Sequence, residues 1–264
     1  MESSDGFSVV EIIRETFGIV YNNPKILLPQ ILLVIFYYIP SIVPYIMGMN
    51  DEYIDISKIF LTFNRYVLLF VFSTIFYLFF LIISPIFDAM YPLFIKNIVD
   101  GKDVNLKSIF LDTWKRFWSI WWASILVSFT IIIGLILLII PGFIFLVWYS
   151  YTIPAMMLGG LGASDGMSAS KDFAKNKKLK TIILLFLIPL IVGILGMIIS
   201  YYFDKIPALS STVDFGFLLF GYLWMSTIPA YAYIKYAQKP QLQQDKTEIT
   251  RSNESEITRT MHEA

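Results

Sequence analysis

The sequence predicts an all-α polytopic membrane protein with six transmembrane helices and three cytoplasmic amphipathic interfacial helices, on three observations. Hydrophobic residues make up 57% of the chain and charged residues only 15%, whereas a soluble domain is near one-quarter charged. Residues 117–164 form a run of 48 without an Asp, Glu, Lys or Arg; as one helix it would reach about 72 Å, more than twice a hydrocarbon core of roughly 30 Å. The run must fold back, and Pro141-Gly142 at its middle joins a missing amide donor to a permissive backbone, so it is the predicted hairpin tip. Finally, threading the apolar runs back and forth puts 17 of the 20 basic residues on one side, and short loops rich in Lys and Arg stay cytoplasmic.

The first element is a surface helix over 7–22. Glu11, Arg14, Glu15, Gly18 and Asn22 share one side, Val10, Ile13, Phe17 and Val20 the other, and Ser8 with Glu11 has capping-box spacing. Asn23 precedes Pro24, which pushes it out of helical geometry and ends the helix. Spans follow at about 26–48, with Pro40 and Pro44 loosening its far end, and at 62–87, with Asp51, Glu52, Asp55 and Lys58 between them. The second continues through Pro92 to about Val99, where Lys96, Asp100, Gly101, Lys102 and Asp103 mark a helix end and a polar turn.

A second surface helix, 104–118, sets Ser108, Asp112, Lys115 and Ser119 against Leu106, Ile109, Phe110, Trp114 and Phe117, and leads into spans 118–140 and 143–160. A third, 163–178, carries Lys171, Lys175 and Lys178 on one side and precedes spans 181–203 and 213–235. Residues 1–237 thus form one membrane domain. From 238 to 264 the chain is polar, with the echo Glu248-Ile-Thr-Arg and Glu256-Ile-Thr-Arg, a composition that predicts a flexible cytoplasmic tail. Aligning Glu15-Thr16-Phe17, Asp112-Thr113-Trp114 and Lys171-Asp172-Phe173 places Ser8, Asn105 and Ser164 at helix starts and predicts three units of surface helix plus helical hairpin. Amphipathic spacing alone gives the same match, so both readings stand.

Composition excludes much chemistry. There is no Cys, so disulfides, thiolate nucleophiles and Cys-held metals are out, and the one His, His262, sits in the tail. Ser-His-Asp catalysis and paired-His metal sites lose their carriers, and the sequence predicts no enzyme, no catalytic residue, no metal site and no cofactor. A formal net charge of zero gives no reason to expect nucleic acid. The acidic start, with Glu2, Asp5, Glu11 and Glu15, is unlike a cleaved signal peptide, so the first span is expected to be retained. The expected place is the cell membrane, multi-pass, with both termini cytoplasmic.

Two groups of residues are candidates for function. Lys171, Lys175, Lys177, Lys178 and Lys180 beside a span fit the positive-inside rule, and a cluster of that size also holds anionic lipid headgroups, the partner the sequence favours. Nothing names a protein partner or an oligomeric state. Asp88, Pro92, Pro154 and Pro229 are the intramembrane polar and kink positions: each Pro frees a carbonyl four residues earlier, at Asp88, Ser150 and Met225, and an ionisable group at membrane depth is a functional candidate by default. The plainer reading of Asp88 is a solvated residue or one paired with Lys96, and Trp114, Trp118, Trp121 and Trp122 read as an interfacial anchor.

Ile140-Pro141-Gly142-Phe143 opening a span, Pro154 inside it, then Gly166-Met167-Ser168-Ala169-Ser170 and Lys175-Asn176, resembles the membrane domain attached to some glycerophosphoryl diester phosphodiesterases and related uncharacterised prokaryotic multi-pass families. The likeness is clearest over 139–190 and implies a six-helix membrane domain. The phosphodiesterase itself is a separate soluble barrel using His and acidic residues with a metal, for which this chain has neither room nor His, so no catalytic residue carries over. The expected function is a lipid-interacting or accessory membrane module without catalytic machinery. A small-solute or ion transporter is the alternative, resting on Asp88 and the three prolines.

Overall fold

The computed structural model describes residues 7–46, 59–175, 177–203 and 207–238. Among the described residues the chain is helical, with no strand: α1 (Val9–Asn22), a 3-10 turn (Pro24–Leu27), α2 (Leu28–Ile46), α3 (Ile59–Val99), α4 (Leu106–Trp114), α5 (Phe117–Leu137), α6 (Ile139–Tyr149), α7 (Thr152–Gly159), α8 (Ala163–Lys175), α9 (Lys178–Ile182), α10 (Ile188–Phe203) and α11 (Pro207–Tyr233). One π turn, Ile183–Leu187, joins α9 to α10, and another, Ile234–Gln238, extends α11. The expected polar loop at Asp51 to Lys58, His262 and the tail beyond Gln238 lie outside the described residues.

Among the described residues five stretches are long and apolar enough to cross a membrane: 66–99, 117–137, 139–159, 178–203 and 212–237. A sixth is counted if α1 and the segment from Pro24 to Pro40, bent by 98° at Asn23, are taken as one. The middles of these helices turn Phe, Leu and Ile outward, as with Phe70, Leu81, Ile136 and Met197. Contiguous apolar exposure on helices whose backbone groups are satisfied internally is what a lipid-facing surface requires. The close packing lies instead toward one end of the bundle, where Met90, Tyr91, Phe94 and Ile95 of α3, Tyr151 and Ala155, Leu184 and Leu185, and Trp224 and Ile228 form a continuous buried cluster. In that cluster the indole N–H of Trp224 donates to the Leu184 carbonyl at 2.8 Å, a carbonyl inside the π turn, where the ladder is widened.

The hairpin tip falls earlier than the sequence suggests. The chain reverses at Leu138, whose backbone is extended at φ −162° and ψ 142°. Pro141 is the third residue of α6, where a missing N–H removes no intrahelical bond. Gly142 serves packing rather than the turn. A Cβ there would come within 2.8 Å of the Leu135 amide nitrogen, and one at Gly134 within 2.9 Å of Gly142 Cα, so the two glycines let α5 and α6 touch at the backbone.

The apolar stretch 139–159 is also broken, between Tyr149 and Thr152. Pro154, expected as a kink in a continuous helix, is the third residue of the new helix α7 and again costs it nothing. Ser170 of α8 closes the gap: its hydroxyl donates to the Trp148 carbonyl at 2.6 Å and accepts from the Tyr151 N–H at 3.1 Å. Pro92 and Pro229, by contrast, lie inside α3 and α11, which continue past them. At the end of α3 the expected polar turn is present, with Gly101 at φ 69°.

The surface helices differ from expectation in extent and facing. Helix α4 spans only 106–114, capped by the Asn105 side chain, which accepts from the Lys107 and Ser108 amides at 3.0 and 3.3 Å. Ser164, aligned with the N-caps Ser8 and Asn105, instead lies inside the first turn of α8. Helix α8 buries Gly166, Ser170, Phe173 and Ala174 against its neighbours.

Candidate functional site

The most strongly coupled polar site joins α1 to the end of α11. Ser8 starts α1, its hydroxyl accepting the Glu11 amide at 3.3 Å, and this fixes Glu11 and Glu15 one turn apart on one side. Two carboxylates at i, i+4 repel unless a cation sits between them. Lys235, in the π turn, supplies it: its Nζ lies 2.6 Å from Glu11 Oε1 and 2.7 Å from Glu15 Oε2. The Tyr231 hydroxyl donates to Glu15 Oε2, the Tyr236 hydroxyl donates to Glu11 Oε2 at 3.2 Å, and the Ser8 N–H donates to the Tyr236 hydroxyl at 3.2 Å. Hydrogen bonding to Lys235 holds both Glu11 and Glu15 below the ordinary Glu range, with Tyr231 adding to the effect at Glu15.

This arrangement corrects the expected facing of α1. Its acidic side is turned to protein, while Val10 and Tyr21 stand 75% and 87% exposed. Phe7, just before the helix, is buried against Phe173 and Tyr236, and its carbonyl accepts from Lys180 Nζ at 2.7 Å. The N-terminal helix is therefore strapped to α8, α9 and α11 together. Between α1, the end of α3 and the end of α11 lies an open cavity of about 650 Å³, lined by Glu15, Gly18, Ile19, Asn22, Asn23, Ile98, Val99, Tyr231, Lys235 and Tyr236. Amphipathic spacing set Glu11 and Glu15 on the polar side of a surface helix and named no distant partner for them. Arg14, three residues after Glu11 and next to Glu15, already offers these carboxylates a local cation, so the spacing gave no signal of a distant partner.

The expected lysine cluster is divided. Lys177 donates to the Phe173 carbonyl at 3.3 Å and lies 4.3 Å from the Phe173 ring centre, and Lys180 is tied to Phe7. Lys171, Lys175 and Lys178 remain exposed. Lys171 and Lys178 converge on one ring, with Nζ atoms 4.8 and 5.4 Å from the centre of Trp148.

Asp88 is half-buried and accepts a hydrogen bond from the Ser226 hydroxyl of α11 at 2.8 Å. Its partner is thus a neighbouring span rather than Lys96. Gln30 of α2 is fully buried, and neither end of its side-chain amide has a hydrogen-bond partner among the described residues. Pro92 is one turn further along α3, while Pro154 and Pro229 stand on other helices, so the three prolines and Asp88 are not gathered into one site. Tyr151 is used structurally, its hydroxyl 3.1 Å from Thr181 Oγ1. Among the described residues no three Asp, Glu, His or Cys side chains stand close enough to share a metal ion.

Apolar helices turned outward, packed together at one end by buried aromatics and a few polar staples, define the class: an integral membrane protein of helical-bundle type. Beyond that class, no family model, curated protein or solved structure matches the chain.

Proposed function

We propose that this protein is a lipid-interacting accessory module of the cell membrane, without catalytic machinery, that holds anionic headgroups at Lys171, Lys175 and Lys178. The observation that carries the reading is the division within the basic run: Lys177 and Lys180 are engaged with Phe173 and Phe7, and the other three stand exposed next to a span. Lysines at a membrane surface attract anionic lipid by about 1 kcal/mol each, and Trp148 beneath two of them is an interfacial aromatic. Six crossings with both termini cytoplasmic belong to the same proposal, as does the resemblance of 139–190 to the phosphodiesterase-linked membrane domain. Asn22 and Asn23, before α2, line the same cavity as Ile98 and Val99, at the end of α3, which favours a chain that goes out along α2 and returns along α3. The test replaces Lys171, Lys175 and Lys178 together with Gln and weighs the lipid retained by native mass spectrometry. Anionic lipid should fall and neutral lipid stay, with added salt mimicking the substitution; equal retention of anionic lipid by variant and parent would reject the site.

A transporter is the second reading, favoured by Asp88 with its bond to Ser226 and by the unpartnered amide of Gln30. The accessory reading expects reconstituted parent protein to show no pH- or voltage-driven flux above empty liposomes. A flux that disappears in Asp88→Asn would make the transporter the better account, since Asn keeps the acceptor for Ser226 and removes only the charge.

A further inference from the structure

We propose that Asp88 is a proton-binding site of the membrane domain, its carboxyl group held as the neutral acid and donating to Ser226 Oγ. The geometry of one hydroxyl carries the inference. Ser226 Oγ lies 2.8 Å from Asp88 Oδ1 and 2.9 Å from the Tyr222 carbonyl oxygen, both full hydrogen-bond lengths. A hydroxyl has one hydrogen to give and two lone pairs to offer. If Asp88 is ionised, both neighbours are acceptors and that single hydrogen must be divided between them. If Asp88 carries a proton, its O–H donates to Ser226 Oγ and Ser226 donates to the Tyr222 carbonyl, so each contact has a hydrogen of its own.

The surroundings offer no counter-charge. Asp88 has no ion-pair partner among the described residues. Of the helices packed against α3, α2, α5 and α7 contain no Asp, Glu, Lys, Arg or His, and α11 contains only Asp214, twelve positions before Ser226. Helix α4 adds Lys107 and Asp112, which stand exposed, and on α3 itself the nearest charge is Lys96, eight positions further on. The titratable groups electrostatically near Asp88 are two phenols, Tyr91 and Tyr222. Tyr91, one turn along on the same side of α3, is fully buried, and its hydroxyl has no hydrogen-bond partner among the described residues. A carboxylate among apolar helices is stabilised by every donor within reach. Asp88 leaves this neighbouring hydroxyl unused, as a neutral acid can.

The proton has an infrared signature. The carbonyl stretch of a carboxylic acid is separate from the carboxylate bands, and ordinary Asp and Glu are ionised at neutral pH, so a protonated Asp88 stands out from the other acidic residues. Full-length parent, Asp88→Asn and Ser226→Ala are measured in detergent at neutral pH. A carboxylic-acid band is expected in the parent, absent in Asp88→Asn and displaced in Ser226→Ala, where the acid loses the acceptor of its hydrogen. Asn offers Ser226 an N–H where the acid offered an O–H, so Asp88→Asn should melt as the parent does. No band in the parent, a band that survives Asp88→Asn, or one that Ser226→Ala leaves in place would each overturn the proposal. The site does not rest on the lipid reading, and replacing Lys171, Lys175 and Lys178 with Gln should leave the band unchanged. Flux is read separately, so a band without flux supports a held proton and not a transported one.

Discussion

Ser170 shows how much one buried hydroxyl can settle. Where the stretch 139–159 breaks, the Tyr151 N–H and the Trp148 carbonyl would both lie inside the packed end of the bundle without partners, and Ser170 serves one as acceptor and the other as donor. Leaving a buried donor unmet costs about 1–3 kcal/mol, so Ser170→Ala should lower the melting temperature by roughly 2–12 °C, taking 2–4 °C per kcal/mol for a domain this size. Differential scanning fluorimetry of variant and parent checks it; an unshifted melt would mean the break needs no staple. The sequence placed a proline effect here correctly and misjudged its form. Pro154 was legible as a helix disturbance, but whether a proline kinks a helix or begins a new one depends on where the preceding helix stops, and that is fixed by a serine 16 positions further along the chain. Gly142 teaches the same point, since a sequence shows that a glycine is permissive without showing what approaches it.

At the scale of the element, α1 was read well as an amphipathic helix and poorly as to which side meets protein. Its two faces, its cap and its end at Asn23 are local matters of spacing and backbone geometry. The partner of its acidic side is Lys235, 220 residues away from Glu15, and no local pattern encodes that distance. The clamp has a pH signature whose sign follows from the lowered Glu11 and Glu15. A carboxyl held below its unfolded value contributes stability that is complete above that value, 4.5 here, and is lost as pH falls through the lower folded value. Hydrogen exchange of residues 9–22 should therefore be slow and flat above about pH 5 and quicken below about pH 4, after correction for intrinsic rates. In Lys235→Gln the same residues should exchange faster at neutral pH and lose most of the acid-dependent step. Identical acid profiles for variant and parent would place the protection of α1 elsewhere, in the Phe7 anchor.

At the scale of the whole molecule, the composition made a membrane protein legible, and the uncharged runs fall on the long apolar helices. The proposed three-unit pattern meets the structure unevenly: Thr16 and Thr113, aligned with each other, are both buried on α1 and α4, whereas Asp172, aligned with them, is exposed and α8 turns Ser170 and Ala174 inward. The number of crossings turns on α2. Its 19 residues reach about 28 Å, close to a hydrocarbon core of roughly 30 Å, and it follows α1 across a 98° bend. Parity decides the matter. From Asp103 to the C-terminus the chain has four apolar stretches, 117–137, 139–159, 178–203 and 212–237, so those two points share a side whatever α2 does. Between Asn22 and Asp103 the long helices among the described residues are α2 and α3, so these two points share a side if α2 crosses and are opposed if it does not. Because the chain contains no Cys, single Cys residues can be introduced at Asn22, Glu52, Asp103 and Asn253 and challenged with an impermeant thiol reagent in intact cells. Six crossings predict that Asn22→Cys, Asp103→Cys and Asn253→Cys are protected until the membrane is opened, and that Glu52→Cys reacts at once. Immediate reaction at position 22 with protection at 103 would reduce the count to five and leave α2 as a helix that enters the membrane and turns back.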